Sequence, residues 1–362
     1  MNVGLSVLIQ SPSYAGGNDD SIGDRDDYKA YQLELEVADM AEPLGFDSIW
    51  SVEHHFSGYT MCPDVTQFLA YMAGRTKHVT LGSMVLVLPW HNPVRVADSV
   101  AMLDNLSGGR FVLGIGRGLG RLEFEGLGVP MEESRQRFVE SAETILTGLE
   151  QGYVEYDGEL VKQPKRWIRP APTRSFRGRT YAAAVSPESL DIMANLGVGL
   201  LIVPQKPWET TVTELEIYRD KFRSINNEEP PSPVVCCLVF VDEDETRGNE
   251  LGEQYIGDYY ASVIKHYELA GQHFSGTKGY EYYEKNARHL QRYGSDEDKR
   301  WYAGLQVLGT PDQCVEKIAN IKELTGCEHF LAQFGYSGMD RDEVLRNLRL
   351  FNDKVQPRVA SL

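Results

Sequence analysis

The feature that most constrains this chain is a rhythm. Short apolar runs of strand length alternate with longer segments whose apolar residues recur at helical spacing. Strands are expected to begin at Val3, Phe46, Val79, Phe111, Tyr181, Val198, Val234 and His329. Between them the pattern predicts helices. One runs from Tyr28 to Leu44, with Leu33, Leu35, Val37, Met40 and Ala41 for its buried face and Gly45 as its stop. Others follow Pro63 and Pro93, the latter well suited to a first helical position. Further helices span Ser134–Leu149, Pro187–Leu196, Trp208–Ile225, a long stretch to about Leu269, Pro311–Leu324 and Asp340–Val355. Strands that are apolar throughout belong in a parallel sheet covered by helices. Eight such units closed on themselves make a (β/α)8 TIM barrel. An open doubly wound sheet is the other architecture the rhythm allows.

No linker divides the chain, so residues 1–362 are expected to form a single domain. Two intervals break the rhythm. Residues 163–179 are rich in Pro and Arg and read as irregular; residues 271–300 are polar, glycine-punctuated and long. A structureless insertion of that length in a compact domain is usually a lid or binding loop. The bland alternative is a surface excursion.

Charge and cysteines narrow the function classes. A formal net charge of -17 repels nucleic acid and anionic membrane, which leaves small molecules and proteins as partners. No apolar run is long enough to span a bilayer, and the first strand carries no basic leader. Five cysteines without CxxC spacing (Cys62, Cys236, Cys237, Cys314, Cys327) argue against a disulfide framework or structural zinc. A cytoplasmic location fits.

In a TIM barrel, catalytic groups project from the C-terminal ends of strands. The second strand runs into Glu53, His54 and His55. Neighbouring side chains on extended backbone point to opposite sides, and no second ligand cluster is evident, so the pair argues against a metal. One imidazole suits acid–base work better. The plain alternative is a polar strand end without chemistry. After the fourth strand comes GIGRGLGR, residues 114–121. Its glycines miss the dinucleotide register at Leu119 and Arg121, so a Rossmann site is rejected. What remains is a loop a ligand can approach closely, carrying Arg117, whose charge suits phosphate. Ser186, just before Pro187, is a natural N-cap, and the helix start behind it can also hold an anion.

Longer motifs go further. LGSMVLVLPWHNPVRVADSVAMLDNLSGGRFVLGIGRG (81–118) and GFDSIWSVEHHF (45–56) resemble the bacterial luciferase-like flavin monooxygenase family. GTPDQCVEKIANIKELTG (309–326) extends the resemblance over nearly the whole chain. GTKGYEYY (276–283) resembles the mobile active-site loop of the luciferase catalytic α subunit. The resemblance implies a (β/α)8 barrel that uses reduced FMN and O2. It implies a flavin C4a-hydroperoxide that oxygenates a small organic substrate, by aldehyde or ketone oxidation or by hydroxylation or epoxidation. By motif match His54 is the catalytic histidine, with His55 and Glu53 as its neighbours. Met84 and Val85 fall where backbone supports the isoalloxazine. Arg117, Arg135 and Ser186 fall at the flavin phosphate, with Ser189 assisting, and Lys278 lies in the lid. The resemblance further implies a separate NAD(P)H:flavin reductase as supplier of reduced FMN. It also implies a homodimer paired through helices near the second and third strands, which Trp50, Phe68 and Tyr71 would support.

Three positions depart from the luciferase pattern: Gly116 for a reactive cysteine, Val185 for a glutamate, and Asn92, preceded by His91, for a histidine. They leave flavin binding intact and bear on the substrate. The alternative within the superfamily is hydride transfer with the deazaflavin F420 and no oxygen. A non-catalytic flavin-carrying subunit would lack the histidine pair and the lid motif.

Overall fold

A computed structural model of the chain describes residues 1–17, 24–183, 187–277, 280–281, 283–284 and 296–362. Its centre is a closed parallel barrel of eight strands. They are β1 (Asn2–Val7), β2 (Ser48–Ser51), β3 (Thr80–Ser83), β4 (Phe111–Gly116), β5 (Thr180–Ala183), β6 (Gly199–Ile202), β7 (Val234–Val241) and β8 (His329–Gln333). Each pairs with the next, and β8 closes on β1 with Asn2 opposite His329. The expected order and the expected strand starts hold to within two residues.

Inside the barrel, Trp50, Tyr181, Leu201, Val234, Cys236 and Leu331 pack together. Trp50 can lie flat there because Gly82 faces it: a Cβ on Gly82 would sit 2.2 Å from the indole. Trp50 and Phe68 are therefore core, and of the three aromatic residues taken as dimer markers only Tyr71 is exposed. All five cysteines are buried and unpaired. Among the described residues no helix is long and apolar enough to cross a membrane.

Three expectations need correction. The strand read as Val79–Leu88 is two pieces: β3, a cis peptide between Met84 and Val85, and a short run Leu86–Val87 beside β4. The stretch 163–179, read as irregular, begins inside the second strand of an antiparallel hairpin, Tyr153–Asp157 with Lys162–Trp167. It is tied to the barrel by the Glu140 carboxylate, which accepts the N–H groups of Glu159, Leu160 and Val161. Residues 271–300 are not one loop, because a helix starts at Asp296 and runs to Leu305.

The bend after β3 is held by one buried hydroxyl. Ser83 Oγ accepts the Gly114 N–H and donates to the Gly114 carbonyl, both at 2.8 Å. The residue opposite must be glycine, since a Cβ on Gly114 would sit 1.8 Å from the Ser83 carbonyl oxygen. Ser83→Ala leaves a buried N–H and C=O unpaired, and should cost roughly 1–3 kcal/mol in urea unfolding.

Candidate active site

The C-terminal end of β2 runs out as extended backbone, so His54 and His55 turn opposite ways, each to its own carboxylate. His54 Nδ1 lies 2.9 Å from Glu123 Oε1. The same oxygen accepts the His55 N–H at 2.9 Å. The His55 ring instead meets Glu53 at 3.3 Å. Glu53 also holds the His91 imidazole and accepts the Val87 N–H at 2.7 Å.

Both acids are buried yet charged. Burial alone would raise the Glu123 carboxyl, but the imidazoles of His54 and His266 beside it hold it well below the usual carboxylate range. Glu53 is likewise pulled down against its burial by His55, His91 and the Val87 N–H. An ionised carboxylate can only accept, which fixes the His54 tautomer. Nδ1 carries the hydrogen, and Nε2 offers its lone pair to the Tyr267 hydroxyl at 3.2 Å.

His54 and Tyr267 face one large cavity at this end of the barrel. About 1510 Å³ there is free of protein atoms, part of it open to solvent. Of the residues expected at the site, Glu53, His54, Met84, Val85, Arg117, Arg135 and Ser189 line this cavity. His55 does not; it lines a second concavity with Ser57 and Tyr31. Ser186 and Lys278 lie outside the described residues. Arg117 extends over the Tyr280 ring, 4.2 Å from its centroid. Tyr280 is buried against Phe274, and its hydroxyl reaches Ser134 Oγ at 2.9 Å. The segment after residue 268 thus rests on the arginine loop, helped by the Arg121–Glu268 pair.

Three functional groups escaped the sequence reading: Glu123, His266 and Tyr267. His266 and Tyr267 come from the end of the helix Glu245–His266, which packs on the turn Pro12–Gly17 and on Asp296–Leu305. Of the two arguments against a metal, the opposite turning of His54 and His55 holds, and the lack of a second ligand cluster does not. His54, Glu123 and His266 offer ligand atoms within 4.8 Å of one another.

The profile of the luciferase-like monooxygenase family matches residues 1–328. The alkanal monooxygenase alpha chain of Photobacterium leiognathi is 29% identical over 337 residues, spanning 90% of this chain and 92% of its own. A monooxygenase structure from Streptomyces bottropensis is 25% identical with a TM-score of 0.75, covering 99% of both chains. The oxygenating constituent of 3,6-diketocamphane monooxygenase from Pseudomonas putida, solved with FMN, has a TM-score of 0.72 at 17% identity, with 99% of both chains covered. An F420-dependent secondary alcohol dehydrogenase with an F420–acetone adduct scores 0.70 at 17% identity over 99% and 98% of the chains.

Proposed function

The chain belongs to the luciferase-like monooxygenase family, and from that premise we propose that it is the oxygenase of a two-component FMN-dependent system. The substrate pair would be reduced FMN, supplied by a separate reductase, and a small apolar organic molecule. The observation that carries the reading is a single cavity that contains both His54 and the Arg117–Arg135 pair.

The cavity's chemistry fits the cofactor. Arg117, Arg135 and Ser189 make a cationic, hydroxyl-bearing end suited to a phosphate dianion. Val52, Met84, Val85, Val87 and Leu201 make an apolar wall suited to a flat ring system. Gly116 leaves room for Val85, whose Cγ2 would sit 2.3 Å from any Cβ there. Reduced FMN, when bound, supplies the electrons that activate O2.

The protein's own contribution is orientation and proton handling. Glu123 fixes the His54 ring and leaves Nε2 to take or return a proton at the cavity wall. Trp90, Tyr267 and Tyr283 add aromatic side chains to the cavity lining beside it. Homodimer formation is supported by half-exposed apolar side chains on neighbouring helices: Tyr71 on Val65–Arg75, and Met102 and Leu106 at the end of Pro93–Leu106.

The F420 alternative is favoured by fold alone. Anaerobic equilibrium dialysis separates the two. Saturable binding of reduced FMN is expected, weakened roughly 10- to 100-fold in Arg117→Ala, the worth of one charge-assisted contact. Binding of F420 with no binding of reduced FMN would sink the proposal.

A further inference from the structure

The end of β2 and the end of the helix Glu245–His266 bring two imidazoles to one carboxylate. His54 Nδ1 lies 2.9 Å from Glu123 Oε1, and His266 Nε2 lies 3.5 Å from the same oxygen. The three ligand atoms fall within 4.8 Å of one another. In a tetrahedral zinc site, bonds of about 2.0–2.1 Å hold neighbouring ligand atoms roughly 3.4 Å apart. The two shorter separations bracket that value, and the third edge has to close by no more than about 1.4 Å. Glu123 and His266 have no side-chain exposure, and Glu123 Oε2 has no hydrogen-bond partner among the described residues. A buried carboxylate with an idle oxygen calls for an explanation, and a cation supplies one.

The far sides of both rings are prepared as well. His54 Nε2 meets the Tyr267 hydroxyl at 3.2 Å, and His266 Nδ1 meets Ser57 Oγ at 2.8 Å. Metal-ligating histidines nearly always hold such a partner on the second nitrogen. A hydroxyl can accept as well as donate, so these two serve either tautomer of their ring.

We propose that His54 Nδ1, Glu123 and His266 Nε2 form a site for a divalent transition-metal ion, zinc above all, whose occupation switches His54 off. Two histidines and a glutamate are a zinc set, with the fourth position left to water. His54 and Glu123 line the large cavity, which gives the ion its way in. His55 is not part of the set, because its ring is turned to Glu53. The site stands on these side chains alone; the switch rests on His54 acting as acid and base under the FMN reading.

Without metal, the carboxylate only accepts, so His54 Nδ1 and His266 Nε2 present hydrogens to it. A metal ion takes a lone pair at both atoms. Each neutral ring then keeps its one hydrogen on the far nitrogen, where His54 Nε2 donates to the Tyr267 hydroxyl and His266 Nδ1 to Ser57 Oγ. No net proton is gained or lost. His54 Nε2, the atom turned to the cavity, no longer has a lone pair with which to take a proton. Zinc has no redox chemistry, so a reduced cofactor in the cavity leaves it in place.

The test uses the flavin-free full chain. Cobalt(II) is the visible probe, since it absorbs far more strongly in tetrahedral than in octahedral coordination. Titration should give a saturable tetrahedral band that equimolar zinc discharges. Nitrogen-15 NMR of labelled histidine should show zinc moving the His54 hydrogen from Nδ1 to Nε2, and the His266 hydrogen from Nε2 to Nδ1. Glu123→Gln and His266→Gln should lower zinc affinity more than roughly 100-fold, beyond the range for an outer partner. Ser57→Ala, at a part-buried position, should lower it roughly 10- to 100-fold and keeps the test decisive if the buried variants misfold. His55→Gln should bind zinc as wild type does. An octahedral cobalt spectrum, or zinc affinity indifferent to Ser57, would overturn the site. Zinc bound with the His54 hydrogen still on Nδ1 would overturn the switch. The tetrahedral band and the moved hydrogens in a protein that does not bind reduced FMN would support the metal site and overturn the cofactor reading alone.

Discussion

His54→Ala should lower the rate of substrate oxygenation in a single turnover by roughly 10²- to 10⁴-fold, the range for loss of a positioned acid–base group. Affinity for reduced FMN should change little, because the cavity residues proposed to hold its phosphate are Arg117, Arg135 and Ser189. Added imidazole should recover part of the lost rate. His55→Ala is the informative companion. Its ring is turned to Glu53 and borders the other concavity, so it should cost less than roughly tenfold. Equal losses in the two variants would show that the whole strand end acts as one unit, and the assignment to His54 would fail. Stopped-flow single-turnover measurements on the three proteins decide it.

A second large effect concerns stability. Glu34 sits on the helix Asp24–Asp39, is only 4% exposed, and faces Gly335 past the end of β8. Burial pushes its carboxyl up to about 8, with the Leu8 N–H pulling weakly the other way. Its Oε2 has no partner among the described residues. The folded pKa lies above the unfolded one, so folding takes up a proton between them. That contribution is fully present below the unfolded carboxyl pKa and is lost as pH rises through the folded value. Glu34→Gln replaces the group with one that never ionises. The variant should match wild type near pH 5 and exceed it by on the order of 3 kcal/mol at pH 8. Urea unfolding at several pH values reads this, and parallel curves for the two proteins would refute it.

The barrel was legible because parallel strands must be apolar on both faces, and that requirement is written locally in runs such as Val234–Val241. The hairpin at residues 153–167 was not, because only Val154 among its strand residues is buried and no alternation results. At the site, the residues found early were those next to a strand end or inside a motif. Glu123 was missed because an acid in a six-residue helix looks like surface until the fold encloses it. His266 and Tyr267 lie more than 200 positions from His54, and only the packing of their helix brings them there.

The buried cysteines have a consequence for endurance. A protein that brings oxygen to a reduced cofactor works in a stream of stray oxidant. Sulfur is attacked as thiolate, and where it can be reached. Burial pushes the thiols of Cys62, Cys236 and Cys314 up to about 12, and raises Cys237 and Cys327 as well. At neutral pH on the order of one in 10⁴ or fewer of the first three is ionised. Wear should therefore fall on the thioethers instead. Half-exposed Met102 is the first candidate, and since it sits on the face proposed for subunit pairing, it would be attacked whenever the chains separate. Ageing of such an enzyme would then begin as loosened association, with its chemistry still intact.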